Sequence, residues 1–138
     1  MRSLILSAAI ASALVVAPSL TLAASPAWTP ATATTITAGA GHSNFVIHAS
    51  VTLPQSCYAA RIRSTPISLH SEREFYVEQM GPMSPCTKPT NNYTCTVVSP
   101  AFPLPIPQSI EVLSKGQKTK VHVATHEPAA TPPVCSNG

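Results

Sequence analysis

The sequence predicts an all-β protein, an immunoglobulin-like antiparallel β-sandwich of about seven short strands. Three observations predict it. Between Phe45 and Leu53 the apolar residues Phe45, Ile47, Ala49, Val51 and Leu53 fall on every second position, the period of a strand with one dry face. Nowhere after the N-terminal apolar segment do apolar residues repeat at the spacing of an amphipathic helix. Clusters of Pro, Gly, Ser and Asn return about every eight to twelve residues, the rhythm of short strands joined by turns.

Residues 1–24 read as a secretory signal. Arg2 supplies the positive start, Leu4 to Val16 the apolar stretch, and Thr21-Leu22-Ala23 or Leu22-Ala23-Ala24 the small-residue cleavage triplet. An uncleaved membrane anchor is the alternative, but Pro18 breaks the run and small polar residues follow. After cleavage no membrane contact is expected, and the product is secreted or periplasmic. What remains can bury a modest core.

Residues 25–41 are rich in Ala, Thr and Pro and read as a linker, with a possible edge strand over Thr34 to Thr37. Trp28, the single tryptophan, either covers the edge of the core or binds something. The central strand from Phe45 ends at Pro54, which has no N–H for a ladder. Pro54-Gln55-Ser56 is a turn, and Cys57 to Ile62 resumes an extended run, with Tyr58, Ala60 and Ile62 on one face and Arg61 and Arg63 on the other. The pair is expected to form an antiparallel hairpin.

Further on, Ile67 and Leu69 alternate with polar residues as a short strand, and Phe75 to Met80 gives another. Gly81 to Cys86 is irregular. Tyr93 to Val98 is extended. Ser99 to Pro107 holds four prolines among Phe102, Leu104 and Ile106, an extended crossover buried on its apolar side. Ile110 to Leu113 and Thr119 to Val123 form a hairpin whose turn uses Gly116. The domain is therefore expected at residues 42–124, with a Pro-rich tail over 125–138 tethered by Cys135.

Four cysteines, Cys57, Cys86, Cys95 and Cys135, stand behind a signal peptide, and an even count there implies two disulfides. The favoured pairing is Cys57–Cys86, tying the central hairpin to a mid-chain loop, with Cys95–Cys135 holding the tail. The rival is Cys86–Cys95 with Cys57–Cys135.

The net charge is only +3, and charged residues make up 9% of the chain. The basic residues never form a run, so nucleic acid is not an expected partner. There is no Asp to orient a histidine beside a nucleophile, and no G-x-S-x-G turn. Glu72 and Glu74 flank one arginine in a loop rather than face each other across a cleft. No catalytic residue and no cofactor is expected. His48, His122, His126 and Met80 are the candidate ligands for a soft metal such as copper, the alternative to a purely binding role; a small hydrolase is a further alternative. Met83 and Phe102 are the candidates for a binding surface. Asn92-Tyr93-Thr94 is a glycosylation sequon.

The order S-C-Y-A-A-R-I, F-Y-V-E-Q-M-G-P and T-V-V-S-P-A-F-P-L-P-I-P, with Tyr58, Val77, Pro82 and the Pro100, Phe102, Pro107 segment as matched positions, resembles small secreted bacterial β-sandwich proteins, among them the protease-complex-stabilising (PrcB-type) C-terminal domain. The resemblance runs from Cys57 to Pro107, and the four cysteines depart from it. It implies a non-catalytic domain that binds or stabilises another secreted protein or an envelope component, an expectation drawn by association because one fold hosts many functions.

Overall fold

The computed structural model describes residues 14–16, 27–65, 73–103 and 105–138. Most of the segment expected to be a secretory signal, the strand expected at Ile67 and Leu69, and residues His70, Glu72 and Leu104 lie outside them.

The protein is all-β, with no helix among the described residues. Its strands are β1 (Thr29–Pro30), β2 (Thr32–Ala40), β3 (Asn44–Gln55), β4 (Ala59–Ser64), β5 (Glu74–Met80), β6 (Asn91–Val98), β7 (Phe102–Pro103), β8 (Ser109–Ser114) and β9 (Gln117–Ala124). The described residues hold nine strands, two of them only two residues long. The pairing is mixed rather than wholly antiparallel, because β5 runs parallel to β8 and β2 parallel to β9.

β3 is the spine. Its alternate residues Phe45, Ile47, Ala49, Val51 and Leu53 are all buried, none more than 1% exposed. Pro54 does not end the strand, since Leu53 pairs with Tyr93 and Gln55 with Asn91 on either side of it. β2 pairs no further than Thr52 on the opposite edge. The missing Pro54 N–H therefore points past the end of β2, where no ladder bond is lost.

The expected hairpin of β3 and β4 is not formed. β3 pairs with β2, β6 and β7, whereas β4 pairs with β5. The turn, closed by Tyr58 N–H donating to Gln55 O at 3.1 Å, is a corner that carries the chain to the other half of the sheet. Periodicity defined both strands and could not say with whom they pair.

Of residues 25–41, expected as a linker, the stretch Thr32–Ala40 is a full strand. β2 is nine residues long, hydrogen-bonded to β3 along its length and to β9 at Ala38 and Gly39. Its Ala and Thr residues look like low complexity, but small side chains suit a strand lying close beneath other backbone. Gly39 shows why: a Cβ there would collide with His126 O, Glu127 Cα and Pro128 Cδ. The tail crosses β2 on this glycine.

The strand order is β1-β5-β8-β9-β2-β3-β6, with β4 on the other edge of β5 and β7 beside β3. β4 and β6 are thus the two ends, and the tail joins them. Thr96 N–H donates to Pro133 O at 2.8 Å and Cys135 N–H to Thr96 O at 2.9 Å on the β6 side; Ala60 N–H donates to Ser136 O at 2.8 Å on the β4 side. Parallel bridges join Thr96 to Val134 and Ala59 to Ser136. The tail therefore closes the sheet on itself and covers two edges that would otherwise be open.

Two disulfides are present, Cys57–Cys86 and Cys95–Cys135. The second is buried, with Cys95 at 2% and Cys135 at 5% exposure, and fixes the closing segment against β6. Inside the ring Phe45, Phe75 and Phe102 form a triangle with centroids 5.9, 5.3 and 4.9 Å apart, distances at which aromatic pairs attract. Phe45 and Phe102 come from one half of the sheet and Phe75 from the other, so the two halves meet there.

Candidate functional site

The closing tail fills only part of the gap between β4 and β6. Thr65 N–H donates to Glu74 O at 2.9 Å. Antiparallel pairs alternate between bonded and non-bonded, so in the β4–β5 register Arg63 and Arg61 also turn their backbone groups toward β5, while Ser64, Ile62 and Ala60 turn theirs away. Ala60 meets the tail. Ile62 and Ser64 have no backbone partner on that edge among the described residues. On the opposite side Thr96 meets the tail, and the same alternation turns the backbone groups of Val98 toward the gap. What remains open is a cleft of about 620 Å³, floored by Ile62 and Phe102 and flanked by Arg61, Arg63, Ser99 and Asn137.

The two arginines are held in place. Arg61 Nε donates to Glu78 Oε2 at 2.8 Å and Arg63 Nε to Glu78 Oε1 at 3.1 Å, so one carboxylate spans both. The Arg61 guanidinium lies 4.0 Å from the Trp28 ring centroid and that of Arg63 4.6 Å from Tyr76. Each cation is thus seated on an aromatic face and tied through its Nε. Their side chains remain 37% and 42% exposed. The row continues along the same face of the sheet. Tyr76 Oη donates to Glu74 Oε2 at 2.8 Å, and Lys118 reaches Glu74 at 3.5 Å and Glu111 at 3.3 Å. The Tyr76 hydroxyl holds the Glu74 carboxyl below its usual range. That same hydrogen bond raises the Tyr76 phenol. Glu111 raises the Lys118 ammonium.

A second cavity, of about 390 Å³, sits on the phenylalanine triangle, with Phe45, Phe75 and Ile110 beneath and Arg73, Glu111 and Lys120 around it. Arg73 covers Phe102 at 4.9 Å and Phe75 at 5.5 Å. Its Nη2 donates to Ser64 Oγ at 3.3 Å, and its buried Nε has no partner among the described residues.

The residues singled out from sequence fare unevenly. Phe102, a candidate for the binding surface, is 5% exposed: the ring belongs to the core and also lines the cleft. Met83 is half-buried beside the first disulfide, its N–H donating to Cys57 O at 2.9 Å, and it lies away from the cleft lining. His48 is 6% exposed with both ring nitrogens unpartnered. It lies on the face of β3 opposite Phe45 and Ile47, and there that face is covered. His122 and His126 are exposed, and Met80 is half-buried at the end of β5. His48 pairs with Thr37 on one edge of β2, while His122 precedes Val123, which pairs with Ala38 on the other, so about two strand spacings separate them. No group of three His, Cys, Asp or Glu side chains comes together to hold a metal among the described residues. The four proposed ligands are not convergent.

The site that the sequence did not announce is the Arg61, Arg63, Glu78 set. Arg61 and Arg63 were legible as neighbours on one strand face. That Glu78 sits between them follows only from the β4–β5 register.

Two disulfides fit an oxidising compartment. No helix of the described residues is long and apolar enough to cross a membrane. No family model matches the chain, and no curated protein and no solved structure matches it either.

Proposed function

We propose that this is a secreted or periplasmic binding domain without catalytic activity, which takes an extended segment of another extracellular or envelope protein along the free edge of β4. The carrying observation is the half-filled gap between β4 and β6. Residues 133–136 already lie there, bonded to both walls through isolated parallel bridges, so the chain itself supplies an example of what the gap accepts. Ile62 and Ser64 continue the same edge with outward N–H and C=O groups, the requirement for strand addition. The immunoglobulin-like sandwich belongs to this reading too. It is supported by the way residues from both halves of the sheet pack into one core.

The signal peptide, the secretion it implies and the resemblance to protease-complex-stabilising domains agree with a partner outside the cytoplasm. The test is affinity capture with the oxidised domain and with its Ser64→Pro variant. Proline removes the outward N–H without touching the β4–β5 ladder. A partner bound by the parent and lost by the folded variant supports the reading. Equal capture by both contradicts it.

A further inference from the structure

The chemistry of the partner can be read from the arginines above the cleft. We infer that the bound segment is acidic, with carboxylates on alternate residues of an extended peptide. This rests on the strand-addition reading and deepens it.

Glu78 engages Arg61 and Arg63 only through their Nε atoms, and no Nη hydrogen bond is made by either among the described residues. Each guanidinium therefore keeps its terminal N–H groups for a ligand, in the planar fork that matches a carboxylate. The carboxylate and the two aromatic rings fix the forks in advance, so little side-chain freedom is lost on binding. Two cations share one Glu78, which leaves this stretch of the edge positive.

Spacing makes the match specific. Arg61 and Arg63 are two residues apart on one strand, about 6.6 Å. An added strand presents its own alternate side chains at the same interval on the same face, whichever direction it runs. Carboxylates at positions i and i+2 would lie on the face of the sheet that carries the two forks, while Ile62 and Ser64 pair with the peptide backbone. Adjacent carboxylates would place one on the wrong face. The same two charges oppose a second copy of this chain pairing β4 to β4, because arginine would then meet arginine.

The test uses the oxidised protein labelled for amide NMR and three peptides: Thr-Thr-Glu-Thr-Glu-Thr-Thr, its Glu-to-Gln counterpart, and the isomer Thr-Thr-Glu-Glu-Thr-Thr-Thr, whose two glutamates are adjacent. The alternating acidic peptide should shift the amides of Arg61, Ile62, Arg63 and Ser64. It should bind about tenfold or more tightly than either control. The double variant Arg61→Gln with Arg63→Gln, folded by its spectrum, should lose that preference.

Equal binding of the glutamine peptide, or an unchanged preference in the double variant, overturns the acidic assignment. A natural partner that is captured by the double variant but lost by Ser64→Pro would overturn it too while leaving the strand-addition reading intact. Loss of neither would sink both. A dimer of the free protein that Ser64→Pro dissociates would show a second copy in the cleft and contradict the assignment.

Discussion

The two parts of the gap between β4 and β6 have the same walls and opposite finishes. Around Ala60 and Thr96 the gap is filled by residues 133–136, hydrogen-bonded on both sides and locked by Cys95–Cys135. Around Ile62, Ser64 and Val98 it is an open cleft under two stacked arginines. The closed part is dry, and its alanines Ala59 and Ala60 are fully buried. The open part is polar and charged. An unpaired strand edge is a liability unless it is covered or charged, and this molecule uses one solution in each part. On the proposed reading the first part serves stability and the second recognition.

The largest effect that would break this contrast comes from removing the lock. Cys95→Ala with Cys135→Ala should cost about 2–5 kcal/mol in chemical denaturation. The loss should exceed that of Cys57→Ala with Cys86→Ala, because Cys57 and Cys86 are only half-buried and tie one loop to a turn. If the two pairs cost the same, closure of the sheet by the tail is not special. Next comes Gly39→Ala, which puts a methyl group into the backbone of residues 126–128. Overpacking of this kind costs about 1–3 kcal/mol, and thermal denaturation should show it.

The open part should behave differently. Arg61→Gln and Arg63→Gln combined with Glu78→Gln, which avoids stranding a carboxylate whose side chain is only 13% exposed, should change stability by no more than about 1 kcal/mol while removing acidic-peptide binding. A larger loss of stability would mean that the arginines serve the fold.

The smallest effect is pH dependence from the row beyond the cleft. Glu74 is depressed below 4.5, so its contribution is present above that value and is lost as pH falls through the lowered one. Lys118 and Tyr76 are raised above 10.5 and 10.0, so theirs is present below those values and is lost as pH rises through the raised ones. All three are solvated, so the change in melting temperature should be slight. Glu74→Gln should remove the acid side of it.

Much of the strand content was legible because period-two patterning survives wherever one face is dry. β3, β5, β6 and the β8–β9 hairpin all carry it, and Gly116, at φ 72°, marks the hairpin turn. The partners of each strand were not legible. Strand patterning is a local signal, and the corner at Ser56 to Tyr58 differs from a hairpin turn only in where the chain goes next. β2 was half-hidden because alanine and threonine carry little hydrophobic contrast. The tail was read as tethered by Cys135; its role as the closing strand depends on Thr96 and Ala60, far away in sequence. The candidate site was hidden for the same reason, since Glu78 reaches Arg61 and Arg63 only through pairing.

Amide hydrogen exchange on the free, oxidised protein tests the central contrast most directly. Ala60 and Thr96, which donate to the tail, should be protected. Ile62, Ser64 and Val98, facing the open cleft, should exchange much faster and gain protection when the alternating acidic peptide is added. Protection of Ile62 and Ser64 equal to that of Ala60 in the free protein would mean that the edge is already paired, and would contradict the account.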